Sequence, residues 1–268
     1  MGLRLAVQMY TVRAFTQTAR DLERSLRRIR EIGYEGVQWS AVGATGGPQP
    51  PVSMAEARRM LEDNGLRCVA THRGWDDLVA RTGEEIAAHR TLGCDFVAIG
   101  SLPGRYQERG AAGYQQFLQE AAPVIAALKE AGLRFGYHHH AQEFARIGPG
   151  RRTLFDLLVA EGGADLMLEV DTYWAVHAGV DPAWLIARCR GRVPVVHLKD
   201  REVVGAEPVM APVGEGNLNW DAILRACQQA GVEWYAVEQD VCRRDPFDCL
   251  RSSFEFLAGR YPEIVRVP

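Results

Sequence analysis

The sequence predicts a closed barrel of eight parallel strands alternating with helices, and two observations carry that expectation. One is a repeated join, in which a helix-like stretch ends in Gly and a short apolar run begins within a residue or two. It occurs at EIGYEGVQW (31–39), DNGLRCVATH (63–72), TLGCDFVAIG (91–100), EAGLRFGYH (130–138), EGGADLMLEVD (161–171), CRGRVPVVHLKD (189–200) and QAGVEWYAVEQD (229–240). Glycine after a helix takes the left-handed conformation that ends it. The Val-, Ile- and Leu-rich runs that follow suit strands covered on both faces, as in a parallel sheet. Together with the opening LRLAVQMY (3–10), these runs make the eight strands that a (β/α)8 barrel requires. The second observation is that polar and charged residues gather at the C-terminal ends of those strands, where such barrels carry their active sites.

An open doubly wound sheet is the competing architecture. The stretch AVQMYTVRAF (6–15) after the first strand contains no glycine, so the phosphate fingerprint of its dinucleotide-binding version is missing. The chain, residues 1–268, is therefore expected to form a single TIM barrel domain.

The segments between the strands carry helix signals. In LERSLRRI, Leu22, Leu26 and Ile29 recur at helix spacing. The basic residues of RSLRRIR (24–30) alternate with those apolar positions and form the solvated side of an amphipathic helix. SMAE (53–56) is a capping box, with Ser53 as the cap and Glu56 reaching back. DPAWLIARC (181–189) places Pro at the first helical position after Asp181, and NWDAILRAC (219–227) begins with a capping Asn219.

A formal net charge of -3 argues against a nucleic-acid partner. No apolar run approaches the roughly 18 residues of a membrane span, and MGLRLAVQMY lacks the features of a signal peptide. The six cysteines form no CxxC pair and suit reduced thiols in a cytoplasmic protein rather than a thiolate zinc site. A homo-oligomer is compatible with all of this.

The polar strand ends are the chemically informative part. LMLEVD ends at Asp171, VPVVHLKD carries His197, Lys199 and Asp200, and WYAVEQD carries Glu238 and Asp240. FGYHHHAQEF (135–144) brings His138 and His140 to one face of its strand and His139 to the other, with Glu143 at the start of the loop. His72 ends the third strand. Carboxylates and imidazoles delivered to one rim by four successive strands converge, and carboxylates that close repel one another unless a cation sits among them. Such an oxygen-rich set favours Mn²⁺ or Mg²⁺, with Co²⁺ or Zn²⁺ as further options.

The stretches LAVQMYTVR (5–13), GYEGVQ (33–38), YHHHAQEF (137–144), VDTYWAVHAGVDP (170–182), RVPVVHLKD (192–200), VGEGNLNW (213–220) and YAVEQD (235–240) together resemble the xylose-isomerase-like barrel superfamily, the sugar phosphate isomerases/epimerases. YHHHAQEF is similar to a YHNHxxEF motif of one branch. The resemblance implies one divalent cation bound from strands 5 to 8, with Asp171, His197 and Glu238 as ligands. For strand 5 it leaves Glu143, reaching back from its loop, or His138 or His140 in its place; Glu143 is preferred. Ketose epimerases and related DNA-repair endonucleases have a histidine three residues after the strand 6 aspartate, where this chain has Trp174. The endonucleases' DxH after strand 7 is missing as well, which argues against DNA cleavage.

The expected activity is isomerisation or epimerisation of a ketose or related keto-sugar through a metal-stabilised enediolate. Glu143 or Glu238 would serve as base and His138 or His140 as proton shuttle. Lys199 would hold the enolate oxygen, or else pair with Asp200 or Glu238. His72, Trp174, Tyr10 and Arg73 are expected to line the sugar pocket. The same enolate can expel a β-substituent, so a dehydratase or lyase acting on a keto-inositol or 3-keto-glycoside is the second reading, and a non-catalytic sugar-binding barrel the third. VGEGNLNW could offer the N–H groups of Gly214 and Gly216 to a phosphate. A plain turn into the Asn219-capped helix is preferred.

Overall fold

In the computed structural model, residues 4–262 are described; the ends of the expected domain, residues 1–3 and 263–268, lie outside them. The strands in chain order are β1 (Leu5–Gln8), β2 (Gly36–Trp39), β3 (Arg67–Arg73), β4 (Phe96–Ile99), β5 (Arg134–His138), β6 (Leu166–Asp171), β7 (Val195–Leu198), β8 (Asp200–Val204), β9 (Glu207–Ala211) and β10 (Trp234–Val237). β1 to β7 and β10 close into a parallel barrel in the order β1-β10-β7-β6-β5-β4-β3-β2. The expected fold is thus present, and the eighth stave is β10. The extra pair β8 and β9 is an antiparallel hairpin inserted after β7, which the sequence reading did not anticipate.

The connecting helices follow their sequence signals. Thr18 caps Ala19–Ile32, which buries Leu22, Leu26 and Ile29 and leaves the arginines at its surface. Ser53 and Glu56 form the capping box, while Asp181 and Asn219 cap their helices as expected. Gly93 and Gly231 end helices at φ +74° and +81°, where a side chain would be strained.

Inside the barrel, the period of two sorts the side chains into layers. The floor is apolar, built from Val69, Phe96, Val195 and Trp234 with Ala6, Ala70, Ala98 and Ala236, and the partly buried Met167 packs on it. One step toward the C-terminal mouth the same strands present Gln8, Gln38, His138, Glu169 and His197, each 3% exposed or less. The register pairs His138 with Glu169 and Asp171 with His197, so residues far apart in sequence share a layer. Glycine makes the floor possible at Gly136, where a Cβ would lie 2.3 Å from the Phe96 ring. Gly136→Ala should therefore lower stability by about 1–3 kcal/mol through overpacking, read as a lower urea midpoint; an unchanged midpoint would show that the floor is not close-packed.

Candidate active site

β6 contributes two carboxylates to the interior, Glu169 and Asp171, spaced two residues apart and wholly buried. Glu169 is surrounded by nitrogen. Its Oε1 accepts from Gln38 Nε2 at 2.8 Å, and its Oε2 lies 2.5 Å from His72 Nε2, 3.1 Å from His197 Nε2 and 3.2 Å from His138 Nδ1. Burial alone would raise its pKa, but the His197 and His72 charges and the imidazole hydrogen bonds outweigh it and hold the carboxyl well below the usual range. An ionised carboxylate only accepts hydrogen bonds, so Gln38 must turn its NH₂ toward Glu169 and its carbonyl toward His197. Gln38 Oε1 is 2.7 Å from His197 Nε2, which makes Nε2 the protonated nitrogen.

The consequence falls on the other side of the imidazole. His197 Nδ1 points at Glu238 Oε2, 2.7 Å away, and at Asp171 Oδ2, 3.8 Å away. In the neutral ring these would be three acceptors facing one another, which repel unless positive charge joins them. Burial opposes a charge on His197, but Glu169 and Glu238 beside it push its pKa up to about 10. Asp171, His197 and Glu238 form a group that could hold a metal ion, their donor atoms all within 4.8 Å of one another.

Lys199, two residues beyond His197, is 1% exposed. Its Nζ lies 3.1 Å from Asp171 Oδ2, 3.0 Å from Glu238 Oε2 and 2.9 Å from Asp240 Oδ1. Burial opposes its charge, but these three carboxylates raise its pKa above the ordinary lysine value. The expected pairing of Lys199 with Glu238 is present. Asp200 is engaged instead by the loop after β9, where its carboxylate accepts from Gly214 N, Gly216 N and Trp220 Nε1.

The three consecutive histidines occupy three environments. His138 faces the barrel interior, its Nδ1 3.2 Å from Glu169 Oε2 and its pKa held well below the ordinary value, chiefly by burial. His139 points outward between Phe144 and Phe155, accepts the Asp171 N–H on Nε2 at 3.1 Å, and is lowered by burial to about 3. His140 stands in the cavity wall, edge-on to Trp174, with Nδ1 unpartnered and its pKa lowered to about 4 by burial first and by Lys199 second.

Two sequence expectations need correction. Glu143, preferred as the strand 5 ligand, does not join the donor group. Its Oε1 accepts from Tyr114 and Tyr137, both at 2.8 Å, and its Oε2 from the His140 N–H at 2.7 Å, so the carboxylate is spent fastening the loop. Trp174, expected to line the pocket, stands behind His140 instead, its ring 5.7 Å from Lys199 Nζ. Tyr10, His72 and Arg73 do border the cavity, which measures about 570 Å³ and opens at the C-terminal mouth beside His138, His140, Lys199 and Glu238. Arg73 is tied to Glu85 by two hydrogen bonds of 2.7 and 2.6 Å. Sequence reasoning missed Glu169 and Gln38. The signal for both was present: a polar residue within an apolar strand, and for Glu169 a spacing of two from Asp171.

A closed parallel barrel whose C-terminal mouth gathers buried carboxylates and imidazoles belongs to the TIM barrels. More narrowly, the chain belongs to the xylose isomerase-like TIM barrel family, whose model matches residues 26–258. No curated protein matches the chain. Among solved structures it is similar to a sugar phosphate isomerase/epimerase from Parabacteroides distasonis, with 22% identity over 98% of this chain and 96% of that one and a TM-score of 0.79. It is also similar to the probable 3-DHS dehydratase AsbF of Bacillus anthracis (13% identity, 96% and 100% coverage, TM-score 0.72). A third likeness is to the IOLI protein with a bound zinc atom (11% identity, 98% and 99% coverage, TM-score 0.70). These likenesses establish the fold. No helix among the described residues is long and apolar enough to cross a membrane.

Two outcomes follow from the site's geometry. Gln38→Ala should weaken divalent-ion binding about 10–100-fold by releasing His197 from its tautomer, with circular dichroism unchanged; calorimetric metal titration checks this. His139 takes up a proton near 6.5 when unfolded but only near 3 when folded. Its contribution is thus complete above pH 6.5 and is lost as pH falls through that value toward 3. Between pH 7 and 5 this amounts to about 2 kcal/mol, so His139→Gln, which keeps an acceptor for the Asp171 N–H, should flatten the pH dependence of the urea midpoint by that amount.

Proposed function

We propose that the protein is a divalent-metal-dependent isomerase or epimerase acting on a ketose or related keto-sugar through an enediolate. The observation that carries this reading is the convergence of Asp171 Oδ2, His197 Nδ1 and Glu238 Oε2, three buried atoms of metal-ligating type, beside an open polar cavity. The family and the P. distasonis structure support it. With Glu143 committed elsewhere, His138 is the strand 5 candidate for a fourth ligand, because it faces the same interior and belongs, with His72, Glu169 and His197, to an adjoining group of possible ligands that shares His197. Two oxygens and two nitrogens admit Zn²⁺ or Co²⁺ as well as Mn²⁺, and suit Mg²⁺ less. The zinc of the IOLI protein agrees with that range.

Asp171, His197 and Glu238 would hold the ion, which would supply Lewis acidity that acidifies a C–H beside a sugar carbonyl. The chain's own residues would do the rest. The Lys199 ammonium, fixed by three carboxylates, lies in the cavity wall and can stabilise an oxygen that gains negative charge. His140 is neutral with a free Nδ1, so it can take a proton from carbon, and Glu238 can exchange one on its own side. Glu143 sets the position of His140 by accepting its backbone N–H. Tyr10, His72 and Arg73 would border the sugar.

Dehydration is the second reading, and Asp240 favours it. Its carboxyl is pushed up to about 6 by burial and by Glu238, and it faces the cavity beside Lys199, where it could protonate a departing hydroxyl. The fold shared with AsbF agrees with this chemistry.

Purified protein should bind one divalent ion per chain. Chelation should abolish exchange of substrate C–H with solvent deuterium, and added metal should restore it. Glu238→Gln should lower kcat by about 10³-fold or more while the fold persists. An unchanged product mass identifies isomerisation, and loss of water identifies the lyase. A protein that neither contains nor takes up a divalent ion would leave only a non-catalytic sugar-binding barrel.

A further inference from the structure

We infer that the substrate is uncharged, a free keto-sugar or keto-polyol carrying neither phosphate nor carboxylate. The inference rests on the sugar-converting reading above and narrows it. In barrels of this type, phosphate is commonly held by N–H groups exposed in the loops after the seventh and eighth strands. Here such a nest exists, but the protein fills it with its own anion. Asp200, wholly buried, accepts on Oδ2 from Gly214 N at 2.8 Å, Gly216 N at 3.1 Å and Trp220 Nε1 at 2.7 Å. Its Oδ1 accepts from Arg201 N at 2.8 Å and Leu218 N at 3.3 Å. The loop is shaped around that carboxylate: a Cβ on Gly216 would lie 2.3 Å from Asp200 Oδ1. VGEGNLNW therefore encloses an internal aspartate, and its donors are already used.

The cavity offers no replacement. Among the described residues that border it, the lysine and arginine side chains are Lys199 and Arg73. Lys199 is held by Asp171, Glu238 and Asp240, and Arg73 by Glu85. Both cationic side chains of the wall are therefore already paired with carboxylates of the chain. Arg13, near the rim, gives its N–H groups to the carbonyls of Tyr10 and Asp240 and lies over the Tyr10 ring. A phosphate dianion placed here would add two uncompensated charges to a largely buried region. Hydroxyl groups, in contrast, find donors and acceptors throughout the wall.

The test has two arms. In the first, metal-loaded protein is titrated calorimetrically with free ketohexoses and with their 1- and 6-phosphates, and solvent-deuterium exchange is followed for each. The free sugars should bind at least tenfold more tightly than their esters. An ester that binds as tightly as its free sugar, or more so, overturns the inference. The second arm needs no turnover. Inorganic phosphate at millimolar concentration should leave the Tm of the metal-free wild type unchanged and should raise that of Asp200→Ala, whose nest has been vacated; Asp200→Asn serves if the alanine variant fails to fold. A wild type stabilised by phosphate overturns the inference whether or not any sugar reacts. If no sugar is converted but the wild type ignores phosphate, the reaction assignment falls and the charge assignment stands.

Discussion

Glu169 is a carboxylate sealed inside a barrel, and the layer around it is organised by the need to keep that charge compensated. An isolated ion at this depth would be neutralised by a shift in pKa. Here His72, His138, His197 and the Gln38 amide surround it, and it stays ionised. Its effect does not stop at its own neighbours. By fixing the Gln38 amide it fixes the orientation of the His197 ring, and so it aims Nδ1 at Asp171 and Glu238. A buried charge in the middle layer thus sets the donor geometry one layer above, a form of support that holds ligands more firmly than surface contacts could.

The floor makes this economical. Phe96 and Trp234 fill the bottom of the barrel because Gly136 and Gly36 leave room for them. That plug keeps water from entering beneath Glu169, so the polar layer sits on a dry base and its electrostatic interactions are less screened. The same dryness explains why the three adjacent histidines have no common chemistry. Burial lowers each of them, but His138 and His140 reach the cavity wall while His139 is turned outward between Phe144 and Phe155.

Much of the fold was legible because it depends on local rules. Glycine-terminated helices, caps at Ser53, Asp181 and Asn219, and apolar strand runs are each written within a few residues. The β8–β9 hairpin was not, since its strands Asp200–Val204 and Glu207–Ala211 pair with each other at the surface and bury too little to leave an apolar run. At the site, Asp171, His197 and Glu238 could be anticipated because strand ends point to one rim. Glu143 could not be placed, because it lies past the strand, where the backbone path is set by a short helical turn that aims its carboxylate at Tyr114 and Tyr137. Trp174 failed for a related reason: a helix begins directly after Asp171 and carries the indole behind His140.

Lys199 ties these observations together. Its ammonium lies within 3.1 Å of the two carboxylate oxygens that also face His197 Nδ1, so part of the positive charge the site requires is built into the chain. Three carboxylates around one lysine still leave negative charge in excess, and a divalent ion would relieve it without displacing the lysine, because His197 Nδ1 approaches the same oxygens alongside it. A fixed internal cation of this kind keeps Asp171 and Glu238 assembled whether or not a further cation is bound.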